Sequence, residues 1–214
     1  VKAMRPDVKI YLYGSNTKNP IDFEAEKLGI IPIEKCNELY NKCQVGLCMS
    51  ASNPSRIPFE MMAAGLPVVE MYKENNLYDM PDNAILLAEP SPEGIASALI
   101  ELIDNKKICD EMSKAGIEYM KDYPLEKGFT QFLEAVDAMF ETKYDKKIKI
   151  EKMYNKEQFK PTKEVLNVSK DVLKCNILID YKGEKWRKLR RTKRTIKSKG
   201  KGILNKMSNL IDRL

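Results

Sequence analysis

Between Ser50 and Glu70 the chain reads SASNPSRIPFEMMAAGLPVVE, and these residue types could hold an anion and a sugar side by side. Ser50, Ser52, Asn53, Ser55 and Arg56 make a polar loop carrying one cation. Pro58 suits the first turn of a helix, where a missing N–H costs nothing. Gly65 is where that helix would stop, and Pro67 prevents its continuation. A polar, Arg-bearing loop at a helix N-terminus attracts a diphosphate through exposed N–H groups and the helix dipole. Glu60 falls in the first helical turns. An acid there cannot neutralise a phosphate, but it can accept hydrogen bonds from sugar hydroxyls. Together these groups suit a nucleotide sugar. Plainer readings stand beside this one: Glu60 as an acid stabilising a helix end, Ser55 as an N-cap, and Arg56 as an exposed loop residue.

The string PFEMMAAGLPVVE resembles the C-terminal domain signature of family 4 retaining glycosyltransferases of the GT-B fold, which have two Rossmann-like domains. That family writes a Glu before Ala-Met-Ala, then x-Gly-x-Pro-Val. The resemblance implies that Glu60 grips the ribose hydroxyls of a nucleotide-sugar donor. The family's usual second acid, which contacts the transferred sugar, would fall on position 52, where this chain has Ser52. Asn53-Pro54-Ser55 before Pro58-Phe59-Glu60 is similar to a variant branch of bacterial rhamnosyltransferases, WsaF-like, that also lacks this acid. The resemblance runs over residues 5–140 and is most specific from Cys43 to Glu70. It implies transfer of a hexose, with rhamnose a candidate, during surface-polysaccharide synthesis. It further implies no cofactor or catalytic metal beyond the donor itself, and places Ile31, with Pro32, where the family's chain passes the base. Gly14, after the first strand, could approach the ligand closely, and Asn75-Asn76 could reach the sugar. Both also read as ordinary turns. The family's phosphate-binding Arg and Lys would precede Pro6. An N-terminal Rossmann-like domain is therefore the implied partner, and the chain alone is expected not to turn over.

Composition narrows the alternatives. The chain has no His, which excludes Ser–His and Cys–His nucleophile pairs and His-containing zinc sites within it. Its five Cys are odd in number and lack tight metal spacing, as expected of reduced cytosolic thiols. It begins at Val1 without an initiator Met, signal peptide or transmembrane run, and reads as part of a longer protein.

The elements that must position these groups alternate in type. Strands are expected at Val8–Tyr13, Ile30–Ile31, Val45–Met49, Val68–Val69 and Ala84–Ala88. Helices are expected at Ile33–Lys42, after Pro58, and at Pro92–Ile103, Lys106–Lys121 and Leu125–Glu141. Such alternation predicts an α/β fold, a Rossmann-like parallel sheet with helices on both faces, whose ligands bind beyond the carboxyl ends of the strands. The loops after Tyr13, Ile31, Met49 and Met71 would line that edge.

Charge divides the chain. Residues 1–144 carry a net charge of −8 and residues 145–214 a net charge of +14. The expected organisation is a nucleotide-sugar-binding body over 1–144 and a basic, largely helical or extended tail over 145–214. Cys175–Ile179 could form a strand. Residues 185–201 contain ten Lys or Arg and no acid, with Trp186 near the start. Ile203, Leu204, Met207, Leu210, Ile211 and Leu214 then share one face of a terminal amphipathic helix. Such a tail could lie on an anionic membrane surface, giving a cytoplasmic protein peripheral to the inner face of the membrane. It could equally be a linker. Nucleic acid is the least favoured partner, because the tail has no Zn-finger spacing and no RNA-recognition signature. Two other functions stay open: a non-catalytic Rossmann-like interaction module, and a basic membrane or nucleic-acid adaptor.

Overall fold

The computed structural model describes residues 1–16, 21, 23–51, 55–141 and 151–172. Five short parallel strands alternate with helices. β1 (Tyr11–Tyr13) pairs with β2 (Glu26–Gly29). β3 (Gly46–Leu47), β4 (Val68–Met71) and β5 (Ile85–Ala88) form a second sheet in sequential order. The helices are α1 (Ile33–Lys42), α2 (Ile57–Ala63), α3 (Asn76–Asp79), α4 (Pro92–Asp104), α5 (Lys106–Lys121) and α6 (Leu125–Phe140); residues 163–172 are also helical. The α/β parallel architecture expected from the sequence is present.

Buried strands with two covered faces read as unbroken apolar runs, and β4 and β5 do so. Alternation sends neighbours to opposite faces. Val68, Ile85 and Leu87 join Tyr40, Met61, Met62, Leu66, Leu77 and Met80 in one core. Val69 and Ala88 join Ala98, Leu102, Cys109 and Met112 in the other. Each helix end has a local cause. Ser91 accepts from the N–H of Gly94 at 3.0 Å and Pro92 opens α4. Asn105 closes α4, and its side chain accepts from the N–H of Ile108 to open α5. Gly65, at φ +74°, ends α2 in the left-handed conformation, and the N–H groups of Gly65 and Leu66 reach back to Met62 and Met61.

The strand expected at Ile30–Ile31 lies earlier, at Glu26–Gly29, and Ile30 is exposed. β2 has only β1 as a partner, so its outward residues are polar and an apolar run does not mark it. Asn75-Asn76 opens the short helix α3 rather than a simple turn.

The compact unit runs from Val1 to Leu166, past the boundary read at residue 144. Its last part contributes to the sheet. Phe159 bridges Ala88 in parallel, accepting from the N–H of Glu89 and donating to the carbonyl of Leu87 at 2.8 Å. Tyr154 is buried in the first core, its hydroxyl accepting from the N–H of Leu87. The expected strand at Cys175–Ile179, the basic run and the terminal helix lie outside the described residues. No helix among the described residues is long and apolar enough to cross a membrane.

Candidate functional site at the carboxyl edge of the sheets

Within each sheet the parallel strands deliver their carboxyl ends to one edge, and the described candidate residues lie in the segments that follow those ends or open α2. Gly14 ends β1 at φ +88° and is exposed, and its N–H donates to the carbonyl of Gly29 at 2.7 Å. The side chain of Asn16 accepts from the N–H of Ile30. These two bonds lace the ends of β1 and β2 and set Ile31 half-buried just beyond them.

At the end of β3, Ser50 is buried against Glu70 of β4. Glu70 is fully buried. Its Oε1 accepts from the N–H groups of Ser50 at 2.8 Å and Met71 at 2.7 Å, and its Oε2 accepts from the Ser50 hydroxyl at 2.7 Å. The Ser50 oxygen in turn accepts from the N–H of Ser55. Lys73 donates to the carbonyl of Ala51 at 3.1 Å, tying the loop after β4 to the same polar segment. Ser52 and Asn53 lie outside the described residues.

At the start of α2, the N-cap position belongs to Arg56, not Ser55. Ser55 still serves the helix end from one residue earlier, its hydroxyl accepting from the N–H of Ile57 at 3.2 Å. Arg56 is exposed, and its side chain has no hydrogen bond or ion pair among the described residues. Glu60 is exposed in the first turn. Its Oε2 accepts from the hydroxyl of Tyr40 at 3.3 Å, and the Tyr40 oxygen lies 2.7 Å from that of Tyr13, the last residue of β1. The two rings meet edge to face. Burial pushes both phenol groups above their usual range, Tyr40 most strongly, so they stay protonated donors at neutral pH.

Asn76 does not reach the edge. It is fully buried, and its Nδ2 donates to the carbonyl of Met71 at 2.7 Å, fastening α3 to the end of β4. Its Oδ1 and the Nδ2 of neighbouring Asn75 are buried without a hydrogen-bond partner among the described residues. Cys43, Cys48 and Cys109 are free thiols, which burial holds above the ordinary thiol range; they suit packing rather than nucleophilic chemistry.

Three residues bonded to the candidate site escaped the sequence reading: Tyr13, Tyr40 and Glu70. Glu70 did carry a signal. An acid following Val68-Val69 in a buried strand must find donors. Tyr13 and Tyr40 carried none, because they meet only when α1 folds across the end of β1.

Among the described residues, an exposed guanidinium and an exposed carboxylate stand at the start of α2, and Ser55 just before it is bonded to Ser50 at the end of β3. Residues 2–100, from before β1 into α4, match the family described as WsaF, C-terminal domain. An O-antigen biosynthesis protein, RfbC of Myxococcus xanthus, is 40% identical over 80 residues, which are 36% of this chain and 6% of that protein. The chain thus spans a small part of that relative's length. Across residues 2–100, which include the whole Cys43–Glu70 segment, this chain is similar to the C-terminal domain of WsaF-type glycosyltransferases.

Proposed function

We propose that the chain is the donor-binding domain of a retaining glycosyltransferase of the GT-B type, acting in surface-polysaccharide synthesis at the cytoplasmic side of the membrane. The donor is a nucleoside diphosphate hexose, and the WsaF-like resemblance makes rhamnose the leading sugar. The observation that carries this reading is the exposed Glu60 carboxylate at the carboxyl edge of the sheets, inside the segment matched by the family. In this reading Glu60 accepts hydrogen bonds from the ribose. Ile31 and Gly14 flank the nucleoside. Ser55, Arg56 and the polar loop that includes Ser52 and Asn53 face the diphosphate. Departure of the nucleoside diphosphate leaves an oxocarbenium-like sugar. The useful work of this half is then to stabilise charge on the leaving group with positioned donors. The acceptor comes from a second, N-terminal Rossmann-like domain, so the chain alone binds donor and does not turn over.

Calorimetric titration with TDP, UDP and GDP, on the wild type and Glu60→Ala, tests this. Binding of one nucleotide, lost in the variant, supports the donor-binding reading and names the donor class. A folded chain that binds none of the three means either that the upstream phosphate-binding residues are indispensable or that the body is a non-catalytic interaction module, and titration of the full-length parent separates the two.

A further inference from the structure

The proposed ligand contact at Glu60 is anchored from behind, and that anchor has a direction. A carboxylate only accepts, so in the 3.3 Å contact with Glu60 Oε2 the Tyr40 hydroxyl donates. The Tyr40 hydroxyl has one hydrogen. Either oxygen of the 2.7 Å contact with Tyr13 could donate; with the Glu60 bond made, the contact runs from the Tyr13 hydroxyl to the Tyr40 oxygen. The order is Tyr13 to Tyr40 to Glu60. Tyr40 is buried, packed in the core beside Met61 and Met62 of the helix that carries Glu60, whereas Glu60 itself is exposed. One carboxylate oxygen is thus fixed by a rigid interior group. Oε1 has no partner among the described residues and remains available.

We propose that Tyr40, itself fixed by Tyr13, is a positioning residue that orients the Glu60 carboxylate toward the hydroxyls of the donor's ribose. This rests on the donor-binding reading of Glu60 given above. An exposed glutamate otherwise samples several rotamers, and holding one of them lowers the entropy lost on binding. The relay also couples the end of β1, where Gly14 stands, to the start of α2, so the two sides of the nucleoside position are set together.

The test separates orientation of a ribose contact from general support of the fold. The chain is titrated with UDP, TDP and GDP and with the 2′,3′-dideoxy counterpart of each. Wild type is compared with Glu60→Ala, Tyr40→Phe and Tyr13→Phe. Loss of one oriented hydrogen bond predicts that Tyr40→Phe weakens binding of the hydroxyl-bearing nucleotide about 3- to 10-fold. The dideoxy counterpart should be unaffected, and Tyr13→Phe should give a smaller loss with the same selectivity. Equal losses for both nucleotides would show that Tyr40 merely supports the fold and would overturn the proposal. So would an unchanged Tyr40→Phe beside a Glu60→Ala that loses ribose selectivity. If Glu60→Ala itself shows no such selectivity, or wild type binds none of the three, the donor-binding reading of Glu60 in this chain fails and this inference falls with it.

Discussion

Glu70 and Ser50 are bonded twice, through the Ser50 N–H at 2.8 Å and its hydroxyl at 2.7 Å, though they stand on neighbouring strands' ends twenty residues apart. With Met71 also donating, the buried carboxylate has three donors and no cation among the described residues. Glu70→Leu leaves two N–H groups and a hydroxyl unpaired in the interior. It should lower stability by about 2–3 kcal/mol, the usual penalty for unmet groups around a lost charged acceptor. Urea denaturation followed by circular dichroism measures this. Glu70→Gln, which keeps one acceptor oxygen, should lose less. The same loss of bracing should speed amide exchange at Ser55, whose N–H reaches Ser50.

The Tyr154 and Phe159 contacts predict where the chain can be shortened. Truncation after residue 144 removes a buried core residue and the backbone partner of β5. The shortened chain should unfold at a markedly lower temperature and bind more of a hydrophobic dye. Truncation after residue 172, which keeps Tyr154 and Phe159, should leave a higher thermal midpoint than truncation after residue 144. Differential scanning fluorimetry of the two truncations decides this.

The helices differ sharply in what they bury. Met62 of α2 is 1% exposed, whereas Phe132 of α6 is 66% exposed, and α6 has no buried residue at all. Met62→Ala should destabilise by about 2–5 kcal/mol, the range for an emptied core position. Phe132→Ala should stay within about 0.5 kcal/mol of wild type. Equal effects in chemical denaturation would refute the described packing of α6.

Four tyrosines, Tyr13, Tyr40, Tyr119 and Tyr154, are held above the ordinary phenol value of 10.0, burial being the first cause in each. A raised folded value means that the native state holds the proton more tightly than the unfolded chain. That stabilisation is complete below pH 10 and is lost as pH rises above it. Absorbance titration near the phenolate band should therefore show these four ionising late, together with unfolding. Tyr40→Phe should lose less stability than wild type between pH 8 and pH 11, once each is referred to its own value at pH 8.

Much of this architecture is legible in the sequence because its signals are local. The bounds of α1 and α5 match their apolar spacing, and Gly65 followed by Pro67 marks the end of α2. The strands β4 and β5 announce themselves as buried apolar runs. What eludes the sequence is pairing across distance. β2 is written EKLG, and only its pairing with β1 makes it a strand. Tyr154 sits in a Lys-rich stretch whose composition suggests a solvated tail, yet its ring fills a space left by residues some seventy positions earlier. At the site, Glu60 stands out by motif. The hydroxyl that orients it comes from a helix whose sequence shows only an ordinary amphipathic pattern.

The parallel bridge from Phe159 to Ala88 bears on the order in which this protein is made. A ribosome releases β3, β4 and β5 well before it releases the residue that covers the outer edge of β5. Until then, the N–H of Glu89 and the carbonyl of Leu87 face water or a neighbouring nascent chain. An open sheet edge of this kind recruits wrong partners. Closing it so late means that the body is finished only once Phe159 has emerged, long after β5. Synthesis rate through residues 89–159 therefore sets how long the sheet stays unguarded.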